Sequence, residues 1–224
     1  MNVDASHTTD RPDHFSPIAS VTLMMTGASG AQYGLRLLQV LLQQPIKVYL
    51  LLSKPAQIVI NTETDLRLPS ARAAELQRFF SDHYNAAEGQ LQVFEREQWM
   101  APIASGSAVA DATVVCPCTT ATLSAIATGA SRSLLERAAD VALKERKKLI
   151  LVIRETPFSE IHLENMLKLS RMGAVIMPAN PGFYHQPKNI DELVDFMVAR
   201  VLDHLDLPQK LMPRWGIAPS SKHK

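Results

Sequence analysis

Ile18-Ala19-Ser20-Val21-Thr22-Leu23-Met24-Met25-Thr26-Gly27-Ala28-Ser29-Gly30-Ala31-Gln32-Tyr33-Gly34 decides the fold. An apolar run over 18–26 stops at Gly27, a small-residue loop follows, and apolar side chains then recur at helical spacing through Tyr33, Leu37, Leu38 and Leu41. That is a strand, a tight turn and a helix over 31–42. Working outward, 46–52 reads as a second buried strand and 55–62 as a second helix. The polar stretch 66–98 holds a helix near 71–83 and a short strand near 91–94. Strands follow at 112–116, 149–153 and 174–177, with helices at 119–128 and 159–171. A last helix over 190–205 is introduced by Asn189 with Glu192 three positions on, the pattern of a capping box.

Strands written as unbroken apolar runs with helices between them predict a doubly wound, mainly parallel α/β sheet covered on both faces. A single domain is expected over 18–206, with a mobile tail at 1–17 and a C-terminal arm and tail at 207–224. Ligands of such folds bind beyond the carboxyl ends of the strands. That rule directs attention to Gly27 to Gly30, Ser53, Cys118 to Thr122, Arg154-Glu155 and the loop after Pro178.

Composition narrows the function. The 224 residues are 46% hydrophobic and 20% charged, which excludes disorder throughout. Lys plus Arg number 23 against 22 acidic residues, a balance that argues against a nucleic-acid or acidic-membrane binder. No apolar run approaches the roughly 18–20 residues of a membrane span. The first 20 residues lack the apolar centre of a signal peptide, so a cytoplasmic protein is expected. Cys116 and Cys118 are the only cysteines, too few for a disulfide framework or a four-ligand zinc site, and no His-Glu-x-x-His stretch exists. No metal is expected.

The first loop lacks Gly-x-Gly-x-x-Gly and a P-loop ending, and Ser53-Lys54 stands where a dinucleotide fold would place an acid. A mononucleotide with one terminal phosphate fits better, its phosphate facing the unpaired N–H groups of the following helix. The alternative is a turn that simply needs small residues. Thr119, Thr120 and Thr122 at the next helix mouth suit a phosphate or a polar ring edge, although a threonine is also an ordinary N-cap. Arg154-Glu155 is either a fixed cation beside an acid–base carboxylate or a loop ion pair of little worth. Lys144 to Lys148 reads as a solvated charge run. Phe183 and Tyr184 either stack on a flat ligand or pack.

Seven stretches stand out together: the 26–34 loop, Glu63-Thr64-Asp65, Ala104-Ser105-Gly106-Ser107, the block from Arg137 to Arg146, Arg154-Glu155-Thr156-Pro157, Pro181 to His185, and Pro213-Arg214-Trp215. Taken together they resemble the flavin prenyltransferase family, formerly called aromatic acid decarboxylases. They occur in the family's order from about residue 21 to 215. The resemblance implies a Rossmann-like flavoprotein fold. It also implies an activity: joining the dimethylallyl group of dimethylallyl phosphate to N5 and C6 of reduced FMN. The product, prenylated FMN, serves a partner decarboxylase, in many bacteria for ubiquinone synthesis.

By the same resemblance, Gly27, Ala28, Ser29, Ser53, Thr119, Thr120, Ala121, Thr122 and Arg154 line the FMN site. Lys144, Tyr184 and Arg200 hold the donor, with Arg137 nearby; Glu155 is the acid–base residue, Glu63 a second carboxylate and Trp215 aromatic cover. The family needs no metal and forms homo-oligomers, usually dodecamers, with sites built between subunits. Two alternatives are an FMN-dependent decarboxylase of cysteine-type substrates, which Met177-Pro178-Ala179-Asn180 faintly suggests, and a non-catalytic FMN carrier.

Overall fold

The computed structural model describes residues 18–69 and 72–213; the tail 1–17 and Trp215 lie outside the described residues. In chain order the elements are β1 (Ser20–Met25), α1 (Ala31–Leu42), β2 (Lys47–Leu52), α2 (Lys54–Glu63), α3 (Ala73–Tyr84) and β3 (Leu91–Phe94). Two short 3₁₀ turns, Pro102–Ala104 and Gly106–Ala108, lead into β4 (Ala112–Cys118) and α4 (Thr120–Thr128). Then come α5 (Leu134–Lys144), β5 (Lys148–Ile153), α6 (Glu160–Arg171), β6 (Val175–Pro178) and α7 (Ile190–His204).

The strands form one parallel sheet in the order β3-β2-β1-β4-β5-β6. The chain starts at the centre, winds outward to one edge, and returns to wind the other way. The switch point lies between β1 and β4, the place where sheets of this kind bind ligands in a crevice beyond the carboxyl ends of their strands. Alternation within the strands builds two cores. Val21, Leu23 and Met25 of β1 face α1, α3 and α7, whereas Met24 faces α4, α5 and α6. Each fully buried leucine, such as Leu37, Leu38 or Leu50, contributes about 1.5–3 kcal/mol through removal of apolar surface from water. No described helix is long and apolar enough to cross a membrane.

Three local expectations need correction. The first concerns 134–144, to which the sequence reading gives no element; it is a helix. Ser133 caps α5 by accepting from the Glu136 N–H, and Leu134, Leu135, Ala138, Ala139, Val141 and Ala142 form its buried stripe. The second concerns β4, which continues two residues past Cys116, through Pro117 to Cys118, with a register shift against β5. In α7, lastly, Asn189 accepts from the Glu192 N–H at 2.9 Å, but the Glu192 carboxylate takes the Lys188 N–H instead of closing a box on Asn189. A reciprocal box does occur at α6, between Ser159 and His162.

Candidate functional site

Hydrogen bonds run across the carboxyl ends of the strands and fix the loops that follow them. Ser53 N–H donates to the Met25 carbonyl at 3.0 Å and Thr26 N–H to the Pro117 carbonyl at 3.2 Å. The Thr26 hydroxyl donates to that same carbonyl at 2.8 Å and accepts the Thr119 N–H at 2.8 Å. Arg154 N–H reaches the Cys118 carbonyl at 3.2 Å, and Ala179 N–H the Ile153 carbonyl at 2.8 Å. Four adjacent strands thus hold Thr26, Ser53, Thr119 and Arg154 in a fixed row. Gly27 belongs to it for steric reasons: a Cβ there would fall 2.3 Å from the Pro55 Cβ at the start of α2.

The start of α1 is not free. Glu63, from the end of α2, accepts the Gly30 N–H at 2.7 Å and the Ala31 N–H at 3.2 Å through one carboxylate oxygen. Burial pushes the Glu63 carboxyl up, but the Ser29 hydroxyl, these two N–H groups and the Arg154 charge outweigh it and hold the group below the usual range. Two of the N–H groups expected to face a phosphate, those of Gly30 and Ala31, are therefore taken within the chain. A carboxylate of the chain already sits on the positive end of the dipole.

The start of α4 is the open one. Thr119 caps it, its hydroxyl accepting the Thr122 N–H at 3.1 Å, which leaves the Thr120 and Ala121 N–H groups without an acceptor inside the helix. The Thr120 hydroxyl lies 3.5 Å from Glu155 Oε2, and the other Glu155 oxygen accepts the Thr156 N–H at 3.1 Å. Beside them, Arg154 Nε is buried with no hydrogen-bond partner among the described residues. A buried donor left unpaired costs about 1–3 kcal/mol, so an acceptor, from water or a ligand, suits this place. The residues present fit FMN: two free N–H groups at a dipole end, hydroxyls, and a fixed cation. Cys116 and Cys118 are buried, and burial pushes both thiols far up, which makes them packing groups rather than nucleophiles.

Two other sets of expected site residues stand apart from this crevice. Arg137 and Lys144 lie on α5, which packs beside the two 3₁₀ turns; Arg137 Nε donates to the Ala104 carbonyl at 3.2 Å, and its Nη1 pairs with Asp140 at 3.1 Å. Lys144 pairs with Glu145, against Gly106, where a Cβ would fall 2.9 Å from the Lys144 amine. Lys144 ends α5 just before β5 begins at Lys148, so it sits at the amino end of the sheet. Six residues of β5 at about 3.3 Å each put Arg154 and Glu155 roughly 20 Å away, at the opposite end. Tyr184 and Arg200 share a third place, a groove of about 410 Å³ on α7 that Phe196, Asp203, Gln209 and Met212 also line. Within one chain Lys144 therefore does not reach Arg154 and Glu155.

Sequence reasoning missed Thr26, whose hydroxyl bridges β4 to α4, and the carboxylates beside each cation: Asp140, Glu145 and Asp203. Helical i, i+3 spacing of Arg137 with Asp140 and of Arg200 with Asp203 was the available signal.

A model of the flavoprotein family matches residues 10–202. Flavin prenyltransferase UbiX of Pseudomonas aeruginosa is 61% identical over 196 residues, 88% of this chain and 93% of its own. Among solved structures, AnUbiX (PadA1) in complex with FMN and dimethylallyl pyrophosphate superimposes with a TM-score of 0.79 at 40% identity, over 90% of this chain and 100% of that one. A dodecameric FMN-dependent UbiX-like decarboxylase from Escherichia coli O157:H7 gives 0.77 at 40% identity, over 88% and 98%. A doubly wound sheet with an anion-ready crevice at its switch point is the frame of a mononucleotide flavoprotein. The chain belongs to the flavoprotein family and, within it, to the flavin prenyltransferases.

Proposed function

We propose that this chain transfers the dimethylallyl group of dimethylallyl phosphate to N5 and C6 of reduced FMN, releasing phosphate, and that the prenylated FMN passes to a decarboxylase, in ubiquinone synthesis. The observation that carries the reading is the buried Arg154 Nε, without a hydrogen-bond partner among the described residues, next to Glu155, which the Thr120 hydroxyl approaches at 3.5 Å. FMN supplies the nucleophilic ring. Gly27, Ala28, Ser29, Ser53, Thr119, Thr120, Ala121, Thr122 and Arg154 would hold it, with the phosphate end suited to the free N–H groups of α4.

The chain's remaining work is electrostatic. Departure of phosphate from an allylic carbon builds negative charge on the leaving group and cationic character on the allyl group. Lys144, Arg137 and Arg200 stabilise the first, and the aromatic faces of Tyr184 and Trp215 shelter the second. Glu155, held by Thr120 and the Thr156 N–H, is placed to move the proton that ring closure releases. Because Lys144 and Glu155 lie at opposite ends of one sheet, the pocket is completed by α5 of a neighbouring copy in a homo-oligomer. A dodecameric relative supports that assembly.

Anaerobic incubation with reduced FMN and dimethylallyl phosphate, followed by mass spectrometry of the flavin, tests the reading. A flavin heavier by one isoprene unit supports it; unmodified FMN would leave a carrier role ahead.

A further inference from the structure

The α7 groove holds an arrangement that the proposed reaction does not by itself require. Arg200 Nη1 donates to Asp203 Oδ2 at 2.8 Å, and the other carboxylate oxygen of Asp203 lies 3.5 Å from Gln209 Nε2. Gln209 is in turn clasped to the main chain of the C-terminal arm: its Nε2 donates to the Met212 carbonyl at 3.2 Å, and its Oε1 accepts the Met212 N–H at 3.1 Å. One carboxylate therefore touches the cation with one oxygen and the arm with the other. The arm is also fixed to its own chain, because Leu207 and Leu211 pack on the core and the Pro208 carbonyl accepts from Gln44.

An ordinary i, i+3 pair on a helix surface has no such second attachment. The Arg200 side chain is 49% exposed, so the pair itself adds little to stability. Its geometric effect is larger. Asp203 accepts from one guanidinium nitrogen, and Arg200, which lines the groove, keeps further donors that suit two oxygens of a phosphate.

We propose that Asp203 is a positioning residue for the prenyl donor: it aims Arg200 at the donor phosphate and, through Gln209, makes that aim depend on the seating of the 207–213 arm. This rests on the reading of the α7 groove as part of the donor pocket. Without Asp203 the long Arg200 side chain samples other rotamers, and the donor loses a preorganised contact.

The test is a double-mutant cycle on the full-length, FMN-loaded enzyme, with KM for dimethylallyl phosphate and flavin affinity as readouts. Asp203→Asn raises that KM about tenfold, the scale of one charge-assisted hydrogen bond, while flavin affinity stays at the parent value. On an Arg200→Gln background the same substitution changes KM less than about twofold, because the group it acts through is gone. Gln209→Ala, which leaves both charges in place, raises KM in the same direction. Equal effects of Asp203→Asn in both backgrounds, or a KM that Asp203→Asn lowers or leaves unchanged, would overturn the role. An unaltered KM in Gln209→Ala would overturn the link to the arm. A parent enzyme that leaves reduced FMN unmodified fails earlier, in the reading of the groove, and takes the proposal with it.

Discussion

Glu63 Oε2 lies 2.7 Å from the Gly30 amide nitrogen, which places a carboxylate from the end of one helix on the start of another. The contact spans 33 positions in sequence and ties α2 to the β1–α1 loop. It also makes the two helix starts unequal: Glu63 occupies the Gly30 and Ala31 N–H groups at the start of α1, whereas at the start of α4 only the Thr122 N–H is taken, by the Thr119 hydroxyl.

Glu63→Gln keeps the shape and removes the charge, and stability at pH 7 falls by about 1 kcal/mol, the usual worth of a helix-terminal carboxylate. The folded-state pKa lies below the ordinary carboxylate value, so the contribution is present above about pH 4.3 and is lost as pH falls through the folded value. Urea unfolding of parent and variant at pH 7 and near pH 3 checks this: the gap between them narrows in acid. A gap that widened in acid would reverse the sign.

Lys144→Ala separates a functional cation from a solvated charge run. Turnover falls by about a hundred- to a thousandfold, the loss of one preorganised donor at developing charge, while FMN still binds. Steady-state turnover with fluorescence titration of FMN measures both. A rate within a few-fold of the parent would return Lys144 to the surface.

Gly34→Ala probes the frame beneath the site. The added Cβ would fall 2.3 Å from the Cys116 carbonyl oxygen and 2.6 Å from the Met25 Cε, and main chain cannot move aside as a side-chain tip can. Destabilisation of about 1–3 kcal/mol follows, despite the better helix propensity of alanine. Thermal unfolding without ligand reports it.

The fold was largely legible because each strand is an unbroken apolar run and each connection carries helical spacing. The expected and observed bounds of α1 and β3 coincide. The α5 helix carries a weaker signal, because the charge run from Lys144 to Lys148 adjoins an apolar stripe, Leu134 to Ala142, whose buried residues are half alanine. The site was legible as residue types but not as an arrangement. Nothing local to Glu63 says that it caps α1, and nothing in the order of motifs says that Lys144 and Glu155 stand at opposite ends of the sheet. Those relations are made by packing between distant segments.

The central claim is that cations of one copy complete the crevice of another. Co-assembly of Lys144→Ala chains with Glu155→Gln chains tests it most directly, because each variant alone keeps FMN but is nearly inactive. Random mixing in equal parts places an intact Lys144 opposite an intact Glu155 in about a quarter of shared pockets, so mixed assemblies recover about a quarter of parent turnover. Mixed assemblies no more active than either variant alone would mean that both residues serve one chain's own pocket, and the account would be contradicted.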